Sequence, residues 1–143
     1  MHRNWIIFLL VGVLLLAACE PRTTPAEPTM ARGQRMETEG GAYTLLTVEE
    51  LRDLLAEEDP LLVNVHIPYE GEIEGTDLHI PYNAVEDHLS DLPDRDARIV
   101  VYCRSGPMSE IAARALVGLG YTDILDVAGG MMAWEEAGMP LVE

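Results

Sequence analysis

The sequence predicts a small α/β domain over residues 42–143, a parallel sheet flanked by helices. Three observations predict it. Leu61 to Val65 and Ile99 to Tyr102 are compact apolar runs, largely β-branched or aromatic, as suits strands covered on both faces. A helical stripe of Ile111, Ala115, Leu116 and Leu119 follows the second run, and a weaker strand candidate, Thr122 to Val127, follows the stripe. Strand, helix and strand within about thirty residues make a crossover unit, which joins parallel strands with a right-handed turn.

The elements follow in chain order. Arg3 precedes Trp5 to Leu16, twelve residues without a charge, and the run closes on Ala17-Ala18. A charged start, an apolar middle and a small-residue exit are the layout of a signal peptide. A spanning helix needs about 20 apolar residues, and here Glu20 and Pro21 intervene first. Leu16-Ala17-Ala18-Cys19 resembles the lipobox of bacterial lipoproteins, which implies a signal peptide over residues 1–18 and an acylated Cys19 as mature N-terminus. The expected product is lipid-anchored to the cell membrane and faces its extracytoplasmic side. Residues 19–41 carry Pro21, Pro25, Pro28, Gly33, Gly40 and Gly41 with no apolar period, and read as a flexible linker.

Within the domain, Thr47-Val48-Glu49-Glu50 has the spacing of a capping box, and Val48, Leu51, Leu54 and Leu55 fall on one face of a helix that ends near Glu58, before Pro60. A second helix is expected over Glu110 to Leu119, closed by Gly120. Met131, Trp134 and Ala137 mark a last helix, with Gly138 just past its end and Pro140 two residues beyond. There is no internal repeat.

Composition narrows the function. Nine arginines, no lysine and 25 acidic residues give a net charge of −16, which excludes a nucleic-acid binder that works by neutralising phosphates. Removing residues 1–18 takes away Arg3 and no acid, so the charge then falls from −16 to −17. A hydrophobic share of 48% excludes wholesale disorder. Cys19 and Cys103 are too few for a disulfide scaffold, and their positions argue against pairing.

Cys103 is the chemical centre of the chain. Val100-Val101-Tyr102-Cys103-Arg104-Ser105-Gly106-Pro107-Met108-Ser109-Glu110 places a cysteine where a buried strand stops and a helix is about to start. In open α/β sheets ligands bind at that end of the strands. Backbone N–H groups of such a loop can converge on one point, where the helix dipole adds positive potential and Arg104 adds charge. An anion is favoured there, so the thiolate is favoured over the thiol. Gly106 supplies a turn that a Cβ would obstruct. The opposing reading makes Cys103 an inert buried hydrophobe; an unpaired thiol outside the reducing cytosol argues for a functional one.

Val101-Tyr102-Cys103-Arg104-Ser105-Gly106, the helix Ile111 to Leu116, Leu119-Gly120-Tyr121, and Gly129-Gly130-Met131 with Ala133-Trp134 resemble the second half of a rhodanese domain. Leu61 to Val65, and Gly75 with Ile80-Pro81, resemble its first half more loosely, so the likeness spans about residues 43–142. The resemblance implies a rhodanese-type sulfurtransferase. A cysteine thiolate takes sulfane sulfur from a small sulfur-containing anion such as thiosulfate, or from a persulfide, and holds it as a persulfide until a thiol or other nucleophilic acceptor removes it. Cys103 is then the nucleophile, and Arg104, Ser105, Gly106, Pro107, Met108 and Ser109 form the substrate-binding cup. No cofactor and no metal are expected. The cup departs from the family where Pro107 removes one N–H and Met108 replaces a polar residue, and both changes weaken the case for a dianionic donor. The early Asp-x-Arg of the family stands here as Asn64-Val65-His66, and Glu72 to Pro81 carries an apparent extra residue that reshapes its loop.

Three alternatives compete. A cysteine phosphatase or arsenate reductase of the C-x5-R type needs an arginine six residues after the cysteine, where this chain has Ser109. His66, His79, His88 and Cys103 fit no zinc spacing, and the acidic runs Glu57-Glu58-Asp59 and Glu70 to Glu74 read as solvated surface. The third alternative is a membrane-tethered binding or sulfur-carrier module without turnover.

Overall fold

The structure, a computed structural model, describes residues 32–143. It opens with a hairpin of β1 (Gln34–Thr38) and β2 (Gly41–Leu46), paired antiparallel. The hairpin lies in part within the stretch expected to be linker, so ordered structure starts earlier than the composition suggests. In β1 only Met36 and Thr38 turn partly inward. A strand so polar has little apolar signal of its own, and its partner β2 holds it in place. Glu50 fastens the same region: its carboxylate accepts from Gly33 N–H at 2.9 Å and from Thr47 N–H at 2.9 Å. Glu50 N–H in turn donates to Thr47 Oγ1 at 3.2 Å, closing the expected capping box at the head of α1 (Val48–Glu57).

The chain continues through β3 (Leu61–Asn64), two-residue strands β4 (Glu72–Ile73) and β5 (Leu78–His79), a kinked 3-10 turn at Val85–Asp91, and β6 (Ile99–Tyr102). Then come α2 (Pro107–Gly118), β7 (Ile124–Val127), α3 (Gly130–Glu136) and β8 (Leu141–Val142). The main sheet has the order β1-β2-β7-β6-β3-β5, parallel everywhere except the β1/β2 hairpin. The α/β class and the parallel sheet flanked by helices are as the sequence predicts. α2 starts three residues earlier than its apolar stripe indicates, because Pro107 at its first position needs no hydrogen-bond acceptor and is preset for a helix.

Strand alternation sorts the sheet's side chains into two cores. Val63, Val65, Ile99, Val101, Cys103 and Ile124 face α2, where Ala112, Ala113, Leu116 and Val117 cover them. Leu62, Val100, Tyr102, Leu125 and Val127 face the opposite way, against Leu51 and Leu54 of α1 and Met131 and Trp134 of α3. Tyr102 closes this second face: its hydroxyl accepts from Ile73 N–H at 3.0 Å and lies 2.7 Å from Thr76 Oγ1, so β6 holds the loop between β4 and β5. Burial pushes the Tyr102 phenol up to about 12, which leaves it a neutral clamp. β4 and β8 pair separately as a small antiparallel patch.

Candidate functional site

Cys103 follows the last residue of β6, at the carboxyl end of the parallel strands. Its backbone carbonyl accepts from Met131 N–H at 2.9 Å, and that of Arg104 accepts from Met132 N–H at 2.9 Å. The start of α3 thus grips the loop after β6 from behind. This explains Gly130. A Cβ on Gly130 would stand 2.0 Å from the Cys103 carbonyl oxygen, so only glycine lets the two backbones approach.

On the other side the loop turns through Gly106, whose φ of +115° is open to glycine and strained for other residues. There the reason is conformation rather than space, since the nearest atom to an added Cβ is 3.8 Å away. The turn aims Gly106 N–H at Cys103 Sγ, 3.0 Å distant. Ser109, fully buried, donates its hydroxyl to Gly106 O at 3.0 Å, and Glu110 N–H donates to the same oxygen at 3.0 Å. One N–H reaches the sulfur where a convergence of several was expected. Pro107, the first residue of α2, has none to give, and the free donors of that first turn belong to Met108 and Ser109.

A rhodanese-like domain model matches residues 47–137. The chain belongs to the rhodanese-like family. It is 38% identical over 98 residues to a sulfurtransferase of Allochromatium vinosum, covering 66% of this chain and 90% of that one. It is 32% identical over 87 residues to a thiosulfate sulfurtransferase of Pseudomonas syringae, covering 59% of this chain and 81% of that one. Among solved structures, a rhodanese-related protein from Thermoplasma volcanium superposes with a TM-score of 0.59 at 29% identity, over 68% of this chain and 95% of that one. Family and relatives together support a sulfurtransferase-type function, which calls for a sulfur donor and an acceptor.

The rhodanese-like site distributes the expected cup residues unevenly. Cys103 is 1% exposed and packs with the apolar cluster beneath α2. Arg104 is half-exposed; its Nε lies 3.7 Å from Glu70 Oε2, and its side chain borders a surface cavity shared with Glu135 and Glu136. Ser105, Gly106 and Pro107 edge an open cavity of about 340 Å³ that also meets Met36, Tyr43 and Asp126. Met108 packs against the α2-side core. Cys19 and the whole of residues 1–18 lie outside the described residues.

Two functional-looking groups escaped the sequence reading. Glu70, read as solvated surface, bonds His66 Nε2 at 2.6 Å and approaches Arg104. His66 therefore has a carboxylate partner, and Asn64 holds the turn between them by accepting from His66 N–H at 2.9 Å and donating to Gly71 O at 3.1 Å. The other is Asp126, a buried acid in β7. Its signal was present: a lone carboxylate in the apolar run Ile124-Leu125-Asp126-Val127 is the kind of buried polar residue that calls for a reason.

The histidines stay apart in their roles. His79 Nε2 lies 2.6 Å from His66 O, and His88 pairs with Asp91 at 2.9 Å. Among the described residues no group of three or more His, Cys, Asp or Glu could hold a metal ion. A cavity of about 580 Å³ opens at the amino ends of β3 and β6, lined by Glu58, Asp59, Leu61, Asp77 and Arg98, at the opposite end of the strands from Cys103.

Proposed function

We propose that the chain moves sulfane sulfur through a persulfide on Cys103. The observation that carries this reading is the Gly106 N–H donated to Cys103 Sγ at 3.0 Å, at the carboxyl end of β6 and the head of α2. A hydrogen-bonded sulfur at a helix N-terminus suits the anion that attacks and the anion that results. With thiosulfate, the Cys103 thiolate attacks the outer sulfur, a new S–S bond forms, and the old one breaks as sulfite departs with the electron pair. With a persulfide donor the leaving group is a thiolate. An acceptor thiolate or cyanide then attacks the terminal sulfur and returns Cys103 to its starting state, with no net electron transfer to the protein. Burial of Cys103 shields the persulfide from unwanted acceptors.

The cation expected to help a dianion is drawn toward carboxylates, since Arg104 faces Glu70 and borders Glu135 and Glu136. We therefore favour a persulfide or polysulfide as the working donor over thiosulfate. The test is to treat the full-length chain with thiosulfate or a polysulfide and weigh it intact, with and without a reductant. With Cys19 replaced by serine throughout, a reducible one-sulfur adduct on the parent and not on Cys103→Ser is expected; an adduct that survives Cys103→Ser, or none with any donor, overturns the reading. The near-complete burial of Cys103 also favours a second reading, a sulfur carrier unloaded by one partner. Turnover with free cyanide or small thiols speaks for the enzyme, and a stable adduct that they do not discharge speaks for the carrier.

We further propose that residues 1–18 are removed and Cys19 is acylated, tethering the domain outside the cytoplasmic membrane. The order of Arg3, apolar run, Ala17-Ala18 and Cys19 supports it. Globomycin is expected to block processing of the precursor, and unchanged processing would refute the tether.

A further inference from the structure

Asp126 has no part in the chemistry described so far, yet it sits beneath it. The residue is 2% exposed and lies on the α2 face of β7, opposite Val101 of β6 and Leu45 of β2 in the strand register. Its Oδ1 accepts no hydrogen bond. No cation answers it either. On α2, Arg114 is engaged by Glu110 at 2.9 Å and lies over the Tyr43 ring, and Glu110 adds repulsion. On β2 the facing titratable group is Tyr43, whose phenol is raised by burial and stays neutral. β6 contributes Val101 and then Cys103, and Met36 comes from β1. Burial accordingly holds the Asp126 carboxyl up at about 6, partly offset by the Ser109 hydroxyl and the Val127 N–H beside it.

Ser109 is the point of interest because a hydroxyl has one hydrogen to donate. In this structure it goes to Gly106 O at 3.0 Å. Gly106 is the residue whose N–H reaches Cys103 Sγ. A neutral Asp126 can donate to Ser109 Oγ and leave that arrangement intact, with every bond running the same way toward the loop. An ionised Asp126 can only accept, and beyond the Val127 N–H the hydrogen at hand is that of Ser109, so it turns from Gly106 O to the carboxylate. Gly106 then keeps its bond from Glu110 N–H and loses the other anchor.

We propose that Asp126 is a positioning residue for the Cys103 loop: it competes with Gly106 O for the Ser109 hydrogen, so its proton decides how firmly Gly106 is held under the sulfur. The chain of bonds stands independently of sulfur transfer. Its consequence for persulfide loading rests on the function proposed above.

The test follows the Gly106 backbone amide by NMR in the full-length chain across pH 4.5 to 8. The resonance is expected to move with a midpoint near that of the Asp126 carboxyl. In Asp126→Asn, which keeps the shape and removes the charge, the movement should vanish. In Ser109→Ala the carboxyl should still titrate in its own carbon signal while most of the Gly106 movement is lost. A Gly106 titration that persists in Asp126→Asn, or in full in Ser109→Ala, overturns the proposal, the second outcome meaning that charge acts through space alone. The pH profile of polysulfide loading on Cys103, read by intact mass, should lose its lower inflection in Asp126→Asn. Loading absent at every pH would sink the sulfur-transfer reading and leave the Gly106 result to stand or fall separately.

Discussion

Two glycines on either side of Cys103 are required for different reasons, and the difference is measurable. A side chain at Gly130 would meet the Cys103 carbonyl oxygen at 2.0 Å and its carbon at 2.9 Å, both of them backbone atoms that cannot swing aside. Gly130→Ala is expected to cost about 3 kcal/mol or more and to disturb the loop. At Gly106 space is available, and only the φ of +115° resists, so Gly106→Ala should cost less, about 1–3 kcal/mol, with the Gly106 N–H shifted off the sulfur. Urea unfolding of both variants checks the order, and Gly106→Ala as the more damaging change to stability would contradict it. Asp126 makes a prediction of opposite sign. Its carboxyl is raised from 3.8 to about 6 in the folded chain, so between those values the folded state holds the proton that the unfolded chain has released. The contribution of Asp126 is then fully present below pH 4 and is lost as pH rises through 6, an amount on the order of 3 kcal/mol. Asp126→Asn should be the more stable protein at pH 7, by up to about that amount, and the gap should close toward pH 4. Urea midpoints that differ equally at both pH values would show that the carboxyl is not held protonated by burial.

Short polar strands gain their structure from neighbours, which is why the elements differ in how far the sequence discloses them. α1, β3, β6, α2 and α3 carry their evidence locally, in a capping box, β-branched runs and helical stripes. β1 carries almost none: Arg35 and Glu37 face solvent, and the strand is defined by pairing with β2 and by the Gly33 and Arg32 contacts to Glu50 and Glu57 on α1. β4 and β8, two residues each, exist as a pair brought together from distant parts of the chain. The site shows the same division. Cys103 and its turn are visible as a local pattern, whereas the use of Gly130 depends on a carbonyl twenty-seven positions earlier in the sequence, and Glu70 becomes more than surface only when the fold sets it beside His66 and Arg104. Deleting the chain through Thr38 therefore removes part of the fold itself. It uncovers the edge of β2, removes Met36 from the α2-side core and frees Glu50 from Gly33. Compared with a chain that begins at Arg32, the chain that begins at Glu39 is expected to melt at lower temperature and to self-associate through the bared strand, seen in size-exclusion chromatography. Equal melting of the two would mean that β1 adds nothing to the fold.

At the scale of the whole molecule, charge and site oppose each other. A chain of net charge −16 with no lysine repels a small dianion over its whole approach, and the attraction of Arg104 is local and shared with Glu70 at 3.7 Å. Added salt shortens the range of both, but it acts first on the long-range repulsion, because the Debye length is already about 8 Å at physiological ionic strength. Loading from thiosulfate should thus be slow and should quicken as salt rises, provided the added anion is one that does not occupy the cup. Loading from a neutral polysulfane should change little over the same range, since no long-range repulsion is screened. Glu70→Gln separates the local contribution from the global one. It releases Arg104 from its carboxylate and removes one of 25 acids, so the rate with thiosulfate should rise by about 2–5-fold at low salt while the rate with the neutral donor stays within error. A thiosulfate rate that is high at low salt and falls steadily as salt is added would mean that the field at Cys103 is net attractive, with Arg104 facing the donor rather than Glu70.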